Sequence, residues 1–268
     1  MATTDTVFTG SIPSNYDSCM VPLLFEPYAG IVAERAQSLQ PKRILETAAG
    51  TGAVTSALHA ALPDAQIVAT DLNQPMLDIA AARIPSDKVS FVAADALQLP
   101  FDDSSFDLIV CQFGIMFFPD KVAANAEARR LLREGGNYLL VIWDSIDRNL
   151  ATQAAGAAVA KLFPEDDGAF YERIPFRYHD VAQIEHDLLA AGFDDIELET
   201  VELMSRAPSA ADAAKGLCQG SPMRTEIEKY GPDALDRATE AAAHALQQFE
   251  GPNGLEAPMS AHLVVATK

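Results

Sequence analysis

The first 145 residues alternate between short apolar runs and stretches in which apolar residues recur with helical spacing. The apolar runs are continuous, which is typical of parallel strands that are buried on both faces. This alternation predicts a doubly wound α/β fold, with a mostly parallel, seven-stranded sheet, helices on both of its faces and a helical cap. The predicted strands are residues 43–47, 66–70, 89–93, 106–112, 138–143, 196–204 and 260–267.

The regular alternation stops after Trp143. No repeat or low-complexity tract marks a boundary, so we predict one domain over residues 1–268, with its core at about residues 40–145. An amphipathic helix over residues 16–39, which Pro22 and Pro27 are expected to interrupt, precedes that core. This helix and two insertions form the predicted cap. The insertions are residues 145–178 and 209–250.

Composition excludes several classes of protein. The 38 acidic residues outnumber the 19 basic ones, and a net charge of −19 disfavours a nucleic-acid partner. The three cysteines lack C-x-x-C spacing, so neither a metal site nor a disulfide framework is predicted. No signal peptide or membrane span is evident, and we expect a cytoplasmic protein.

The segment ILETAAGTGAVT, residues 44–55, joins the first predicted strand to the next helix. Glycines in such a turn let the backbone approach a ligand, and the free N–H groups of the helix face it. Asp71 ends the second strand, nineteen residues after Gly52. An acid at that place bonds ribose hydroxyls, so the segment predicts a ligand that contains ribose.

Two features of the segment favour a sulfonium nucleoside over a dinucleotide. A dinucleotide loop requires a third glycine, and Thr55 stands in its place. Glu46 lies two residues before the turn, where its carboxylate would repel a diphosphate and attract a cationic ligand.

These residues resemble the class I S-adenosylmethionine-dependent methyltransferases. The run from Glu46 to Gly52 is similar to the family signature E/D-x-G-x-G-x-G, although Ala48 replaces its first glycine and narrows the turn. The run LPFDDSSFDLIVCQFGIMFFPD, residues 99–120, is typical of the subfamily that contains the ubiquinone and menaquinone C-methyltransferases. The resemblance covers residues 16–145 and implies a Rossmann-like fold and S-adenosyl-L-methionine as cofactor.

The resemblance also implies a role for each matching residue. The backbone at the turn would pass the methionine part of the cofactor, Asp71 would bind the ribose, and Leu72 and Met76 would pack on the adenine. Met76 is equally interpretable as a core residue, and so is Phe113. The implied cofactor-binding residues are Tyr16, Glu46, Ala48, Gly50, Thr51, Gly52, Asp71, Leu72, Met76, Asp95, Ala96, Gln112 and Phe113.

Methyl transfer from a sulfonium depends on the orientation of the two reactants and on the exclusion of water more than on a catalytic side chain. We therefore assign no catalytic residue, although four side chains are candidates for a base. They are Tyr171, Tyr178, His179 and His186.

The expected reaction is O-, C- or N-methylation of a small molecule with apolar surface, by in-line displacement beneath the cap. Two alternatives are a nicotinamide-dependent oxidoreductase and a non-catalytic protein that binds S-adenosylmethionine. The sequence also allows a homodimer.

Overall fold

The computed structural model describes residue 8 and residues 10–163 and 170–268, so residues 164–169 of the predicted insertion lie outside the described residues. The chain forms two compact units. The sheet unit contains residues 28–143, 178–201 and 261–268. The helical unit contains, of the described residues, residue 8 and residues 10–27, 144–163, 170–177 and 202–260.

The described residues form one sheet and a set of helices. The strands are β1 (Arg43–Glu46), β2 (Gln66–Asp71), β3 (Val89–Ala93), β4 (Phe106–Gln112), β5 (Leu132–Trp143), β6 (Asp195–Ala207), β7 (Glu250–Gly251) and β8 (Gly254–Thr267). The α-helices are α1 (Ile12–Asn15), α2 (Glu26–Leu39), α3 (Ala53–Ala61), α4 (Gln74–Arg83), α5 (Lys121–Leu131), α6 (Leu150–Leu162), α7 (Phe170–Arg173), α8 (Val181–Ala190), α9 (Ala210–Gln219), α10 (Met223–Glu228) and α11 (Ala234–Leu246).

Seven strands follow one another across the sheet in the order β3-β2-β1-β4-β5-β8-β6, and the two-residue β7 pairs with β8 as an eighth. The pairs from β3 to β5 are all parallel, whereas β8 runs antiparallel to β5. The predicted mostly parallel α/β fold is therefore confirmed. The short β7 was not predicted, because two residues carry no periodic signal.

Strand β1 lies at the point where the order of the strands reverses. From β1 the chain adds β2 and β3 on one side, and it then returns to add β4 and β5 on the other. Glu46 at the end of β1 is level with Ala69 of β2 and Val110 of β4. Ligands of open α/β sheets bind at such a switch point, outside the carboxyl ends of the strands.

The start of β5 differs from the prediction, which began this strand at residue 138, whereas β5 begins at Leu132. Helix α5 ends at Leu131, and Leu132 already pairs with Phe106 of β4. Gly135 has φ +73°, and its N–H donates to the Lys268 carbonyl at 2.8 Å. The glycines therefore serve an irregular part of the strand, where a left-handed residue is required.

The helix before the core is not interrupted at its prolines. A π-helical stretch, Tyr16–Phe25, joins α1 to α2 and contains Pro22, and Pro27 is the second residue of α2. The Glu26 N–H donates to the Val21 carbonyl, five residues earlier. The predicted break is wrong because this wider turn accommodates residues that lack an N–H group.

In the helical unit, α11 packs against α6 and α9. Asn149 is buried before α6, and its amide exchanges hydrogen bonds with the backbone of Ser260, at 3.1 Å and 3.2 Å. Tyr171 donates to the Leu217 carbonyl at 2.7 Å. These contacts to backbone groups fix α6 and α7 to segments that are distant in sequence.

In the part of the chain that the structure describes, every helix is too short or too polar to cross a bilayer. The cytoplasmic location stays a prediction.

Gly52 offers a direct test of how α4 packs against the turn after β1. Gly52 has φ +82°, and a Cβ there would lie 2.8 Å from the Ala80 Cβ. Gly52→Ala should lower the free energy of unfolding by about 2–5 kcal/mol, because left-handed strain adds to overpacking. Gly135→Ala is the matched control, since a Cβ there meets nothing within 4 Å, and it should cost only about 1–2 kcal/mol. Urea unfolding of both variants measures the difference. Equal losses of unfolding free energy in the two variants would contradict the contribution from overpacking against Ala80.

Candidate functional site

The turn after β1 has a left-handed residue at every second position. Ala48, Gly50 and Gly52 have φ values of +53°, +56° and +82°. The Thr47 N–H donates to the Val110 carbonyl and the Ala49 N–H to the Thr70 carbonyl, both at 2.9 Å, so β4 and β2 hold the turn from its two sides. This alternation explains why glycine is favoured at positions 48, 50 and 52.

Ala48 is tolerated in the turn because Gly114 has no side chain. A Cβ at Gly114 would lie 2.5 Å from the Ala48 Cβ and 2.9 Å from the Cys111 Sγ. The methyl group of Ala48 therefore fills space that the turn after β4 leaves open. The departure from the family signature is accommodated locally, at the cost of a left-handed alanine.

Asp71 braces the turn from the end of β2. Its Oδ2 accepts a hydrogen bond from the Gly50 N–H at 2.9 Å, and its Oδ1 accepts from the Asn73 N–H at 2.8 Å. Asn73 stands at the N-cap position of α4, but its amide donates to Asp71 instead of capping the helix. Burial raises the pKa of Asp71, and the hydrogen bonds from Asn73 and Gly50 act against that rise.

Glu46 lies beneath the turn and is only 2% exposed. Its Oε2 accepts a hydrogen bond from the Thr55 hydroxyl at 2.6 Å. Burial raises the pKa of Glu46 to about 8, and the charge of Asp71 adds to the rise, whereas the Thr55 hydrogen bond lowers it. In the described residues, no lysine, arginine or histidine is a hydrogen-bond or ion-pair partner of either carboxyl group.

The side chains predicted to face the adenine divide into two groups. Leu72 is 54% exposed, directly after Asp71, whereas Met76 is 2% exposed and belongs to the core. Asp95 is exposed in the turn after β3, where its Oδ1 accepts from the Leu97 N–H at 2.9 Å. The partly exposed Ala96 follows it, so the structure places Leu72, Asp95 and Ala96 where a ligand can reach them.

Gln112 is the last residue of β4 and Phe113 follows it, next to the turn after β1. The ring of Phe113 stacks on Trp143 with the centroids 3.7 Å apart, so it is a buried aromatic residue in this structure. Tyr16 belongs to the helical unit, where its ring stacks on Phe25. Its predicted cofactor contact, like that of Gln112, stays a prediction.

The four candidate bases divide between the two units: Tyr171 belongs to the helical unit, and the other three belong to the sheet unit. The Tyr171 hydroxyl donates to the Leu217 carbonyl, and the Tyr178 hydroxyl donates to Asp187 Oδ2 at 2.9 Å. Burial raises the pKa of both phenols. His186 is exposed on α8, and the His179 carbonyl accepts from the His262 ring at 3.1 Å. No side chain is therefore assigned as catalytic.

Sequence reasoning missed Thr55 and Gly114 as contributors to the site, whereas Thr51 was among the predicted cofactor-binding residues. Thr55 appeared only as a missing glycine, yet its hydroxyl is the partner of Glu46. Gly114 makes room for Ala48. The Thr51 hydroxyl is buried and has no hydrogen-bond partner within residues 8, 10–163 and 170–268. An unpartnered hydroxyl in a glycine turn above two buried carboxyl groups fits a polar ligand that carries positive charge.

The site lies in a segment of the chain that is similar to a known family of domains. The sequence profile of the methyltransferase domain family matches residues 45–140. Residues 45–140 are a methyltransferase domain. A demethylmenaquinone methyltransferase of Deinococcus radiodurans is 37% identical over 111 residues, which are 41% of this chain and 46% of that protein. The ubiquinone/menaquinone biosynthesis C-methyltransferase UbiE of Methylobacterium nodulans is 36% identical over 121 residues, 44% of this chain and 48% of that one.

A solved structure extends the similarity of the fold. Phosphoethanolamine N-methyltransferase 2 of Haemonchus contortus, in complex with phosphomonomethylethanolamine and S-adenosylhomocysteine, has a TM-score of 0.54 at 20% identity. The alignment covers 85% of this chain and 48% of that one. The sequence relatives match less of the chain, which spans about half of their length. The methyltransferase domain is thus shared in sequence, and the wider fold is shared in structure.

The raised pKa of Glu46 predicts how stability changes with pH. Glu46 keeps its proton to about pH 8 in the folded protein, against 4.5 as its usual value. Between those values the folded state binds more protons than the unfolded state, so the free energy of unfolding should fall as pH rises. Glu46→Gln should flatten this slope in urea unfolding, because glutamine cannot ionise. Glu134→Gln, at an exposed position of β5, is the control and should keep the slope.

Proposed function

We propose that this protein transfers a methyl group from S-adenosylmethionine to a small-molecule acceptor. The observation that carries the proposal is the pair of buried acids, Glu46 and Asp71, beneath a left-handed turn. They have no basic partner among the described residues, so a cationic ligand would stabilise them and a diphosphate would not. The matches to methyltransferases over this segment support the same conclusion.

Residues of the sheet unit would hold the cofactor along the carboxyl ends of the strands. The backbone at Ala48, Gly50 and Gly52 would pass its methionine part, with Thr51 and Gln112 nearby. Asp71 would accept from the ribose hydroxyls, because a carboxylate oxygen can take a second hydrogen bond. The adenine would lie against Leu72, which is exposed for an apolar residue.

Asp95 and the Ala96 N–H would bind the edge of the adenine, since both lie in the accessible turn after β3. Bound S-adenosylmethionine supplies an activated methyl group, and the protein contributes orientation and the exclusion of water. Such a reaction needs no catalytic side chain, and none is assigned here.

The acceptor is proposed to be a small molecule with apolar surface. The relatives named above act, by their names, on demethylmenaquinone or in quinone biosynthesis. The helical unit contains many apolar side chains, among them Phe163, Phe170 and Phe176. The acceptor cap predicted for residues 16–39, 145–178 and 209–250 stays a prediction, as do the single domain and a homodimer.

Neither alternative gains support from the comparisons. An oxidoreductase would require a dinucleotide loop, whereas Thr55 stands at the position of the third glycine and donates to a buried acid. A non-catalytic binding protein would bind S-adenosylmethionine and transfer nothing. Calorimetry with S-adenosylmethionine and with NAD distinguishes the oxidoreductase from the proposed methyltransferase. A turnover assay distinguishes the non-catalytic binding protein from it.

Asp71→Asn tests the cofactor site. The substitution keeps an acceptor for Asn73 and removes the charge, so binding of S-adenosylmethionine should weaken by about 1.5–3 kcal/mol, the value of a hydrogen bond to a charged group. Asp64→Asn, at an exposed position before β2, should leave the dissociation constant unchanged. An unchanged constant in Asp71→Asn would remove Asp71 from the site.

Turnover tests the reaction and the acceptor class. The protein is incubated with S-adenosylmethionine and a panel of quinone-like and hydroxylated aromatic compounds, and S-adenosylhomocysteine and methylated products are measured by mass spectrometry. We expect a product heavier by one methyl group from apolar members of the panel, and a rate that falls in Asp71→Asn. Binding of the cofactor without turnover of any member would favour the non-catalytic alternative.

A further inference from the structure

Non-glycine residues with positive φ lie at both ends of β1 and β4. In the described part of the chain they are Gln40 and Ser104, before the two strands, and Ala48 and Phe113, after them, with φ between +49° and +55°. A left-handed backbone costs a residue with a side chain free energy and persists only when its surroundings impose it. The pair at the carboxyl ends lies at the switch point of the sheet, beside the proposed cofactor turn.

Phe113 is the bulkiest of the four, so its conformation requires the strongest restraint. Its N–H donates to the Val141 carbonyl of β5 at 2.8 Å. Its ring stacks on Trp143, with an interplanar angle of 11°, and the edge of Tyr28 meets it at a centroid distance of 5.3 Å. We call Tyr28, Phe113 and Trp143 the aromatic clamp.

The clamp is itself anchored to the sheet. The Tyr28 hydroxyl donates to the Val201 carbonyl of β6 at 3.1 Å, and Tyr28 also meets the Trp143 ring edge-on. Trp143 is the last residue of β5 and pairs with Ala261 of β8. Stacked and edge-to-face aromatic pairs contribute beyond their buried area, so the clamp can offset the strain at Phe113.

The clamp reaches the cofactor turn through one close approach. Gly114 follows Phe113, and a Cβ at Gly114 would lie 2.5 Å from the Ala48 Cβ. The Ala48 methyl is therefore seated against the backbone that Phe113 holds. A displacement of residues 113 and 114 would press on Ala48 or release it, and so would move the turn between Glu46 and Gly50.

We propose that Phe113 is a positioning residue for the cofactor, and that it acts through the contact between Gly114 and Ala48. The inference rests on the cofactor site proposed above. The aromatic clamp holds the turn after β4, this turn fixes the left-handed Ala48, and Ala48 sets the path of the backbone that receives the methionine part of S-adenosylmethionine. Family members with glycine at the position of Ala48 would lack this link, because glycine has no methyl group to transmit the displacement.

A double-mutant cycle tests the link. The variants are Phe113→Leu, Ala48→Gly and both together, and the measurements are the dissociation constant of S-adenosylmethionine by calorimetry and the midpoint of thermal unfolding. Phe113→Leu should weaken binding several-fold more in the wild-type background than in Ala48→Gly. The fold-change in the dissociation constant that Phe113→Leu causes should be at least about three times larger in the wild-type background than in Ala48→Gly. Such a ratio lies within the range of coupling between residues in contact.

Ser104→Gly is the matched control for Ala48→Gly. It relieves the same backbone conformation at the amino end of β4, away from the turn. Combined with Phe113→Leu, it should give additive effects on binding. A purely structural role of Phe113 would lower the unfolding midpoint equally in each background and leave the effects on binding additive, and that result would overturn the proposal.

A second pair of variants keeps the test decisive if Phe113→Leu does not fold. Trp143→Phe retains an aromatic face for stacking, and its effect on binding should also shrink in the Ala48→Gly background. If the effects of Trp143→Phe and Ala48→Gly on the dissociation constant are additive, the proposal is overturned as well. Failure of the cofactor site is distinguished by Asp71→Asn: if this variant binds like the wild type, the site itself is wrong, whereas weakened binding with an additive cycle rejects only the role of Phe113.

Discussion

The hydrogen bond from the Gly50 N–H to Asp71 joins the turn after β1 to the end of β2. The same carboxylate accepts from Asn73, which opens α4, so one buried side chain fixes three backbone segments. A charged acceptor with several N–H donors makes strong hydrogen bonds, and its removal would leave buried donors without a partner. The position of the turn, and with it the start of α3, therefore depends on Asp71.

The second constraint is the charge of the acids beneath the turn. Glu46 and Asp71 are both buried, and their partners among the described residues are neutral N–H and O–H groups. Burial of two carboxylates without a cation disfavours their charged forms. The pKa of Glu46 is raised for this reason. A bound cation would reduce the cost, which is why the electrostatics favour a sulfonium ligand over a diphosphate.

Much of this arrangement could be predicted from the sequence, because the strands are buried on both faces and appear as apolar runs. Each of the first two apolar runs is followed directly by an acid, which places Glu46 and Asp71 at the ends of β1 and β2. The end of α5 could not be predicted, since Gly135 donates to Lys268 at the far end of the chain. The link between Ala48 and Gly114 was equally hidden, because the contact joins residues that are distant in sequence.

Ala48 shows why a signature compared position by position can mislead. A missing glycine in the turn could signal a loop that no longer binds its ligand, or a loop whose neighbouring segment leaves room for the side chain. The structure favours the second interpretation, since Gly114 has no side chain at the point where the Ala48 methyl lies. The space that glycine supplies in the signature is supplied here by Gly114 in the turn after β4, and the left-handed conformation of Ala48 is kept at φ +53°. The functional unit is thus the pair of turns after β1 and β4, and an alanine in one is interpretable only together with the glycine in the other.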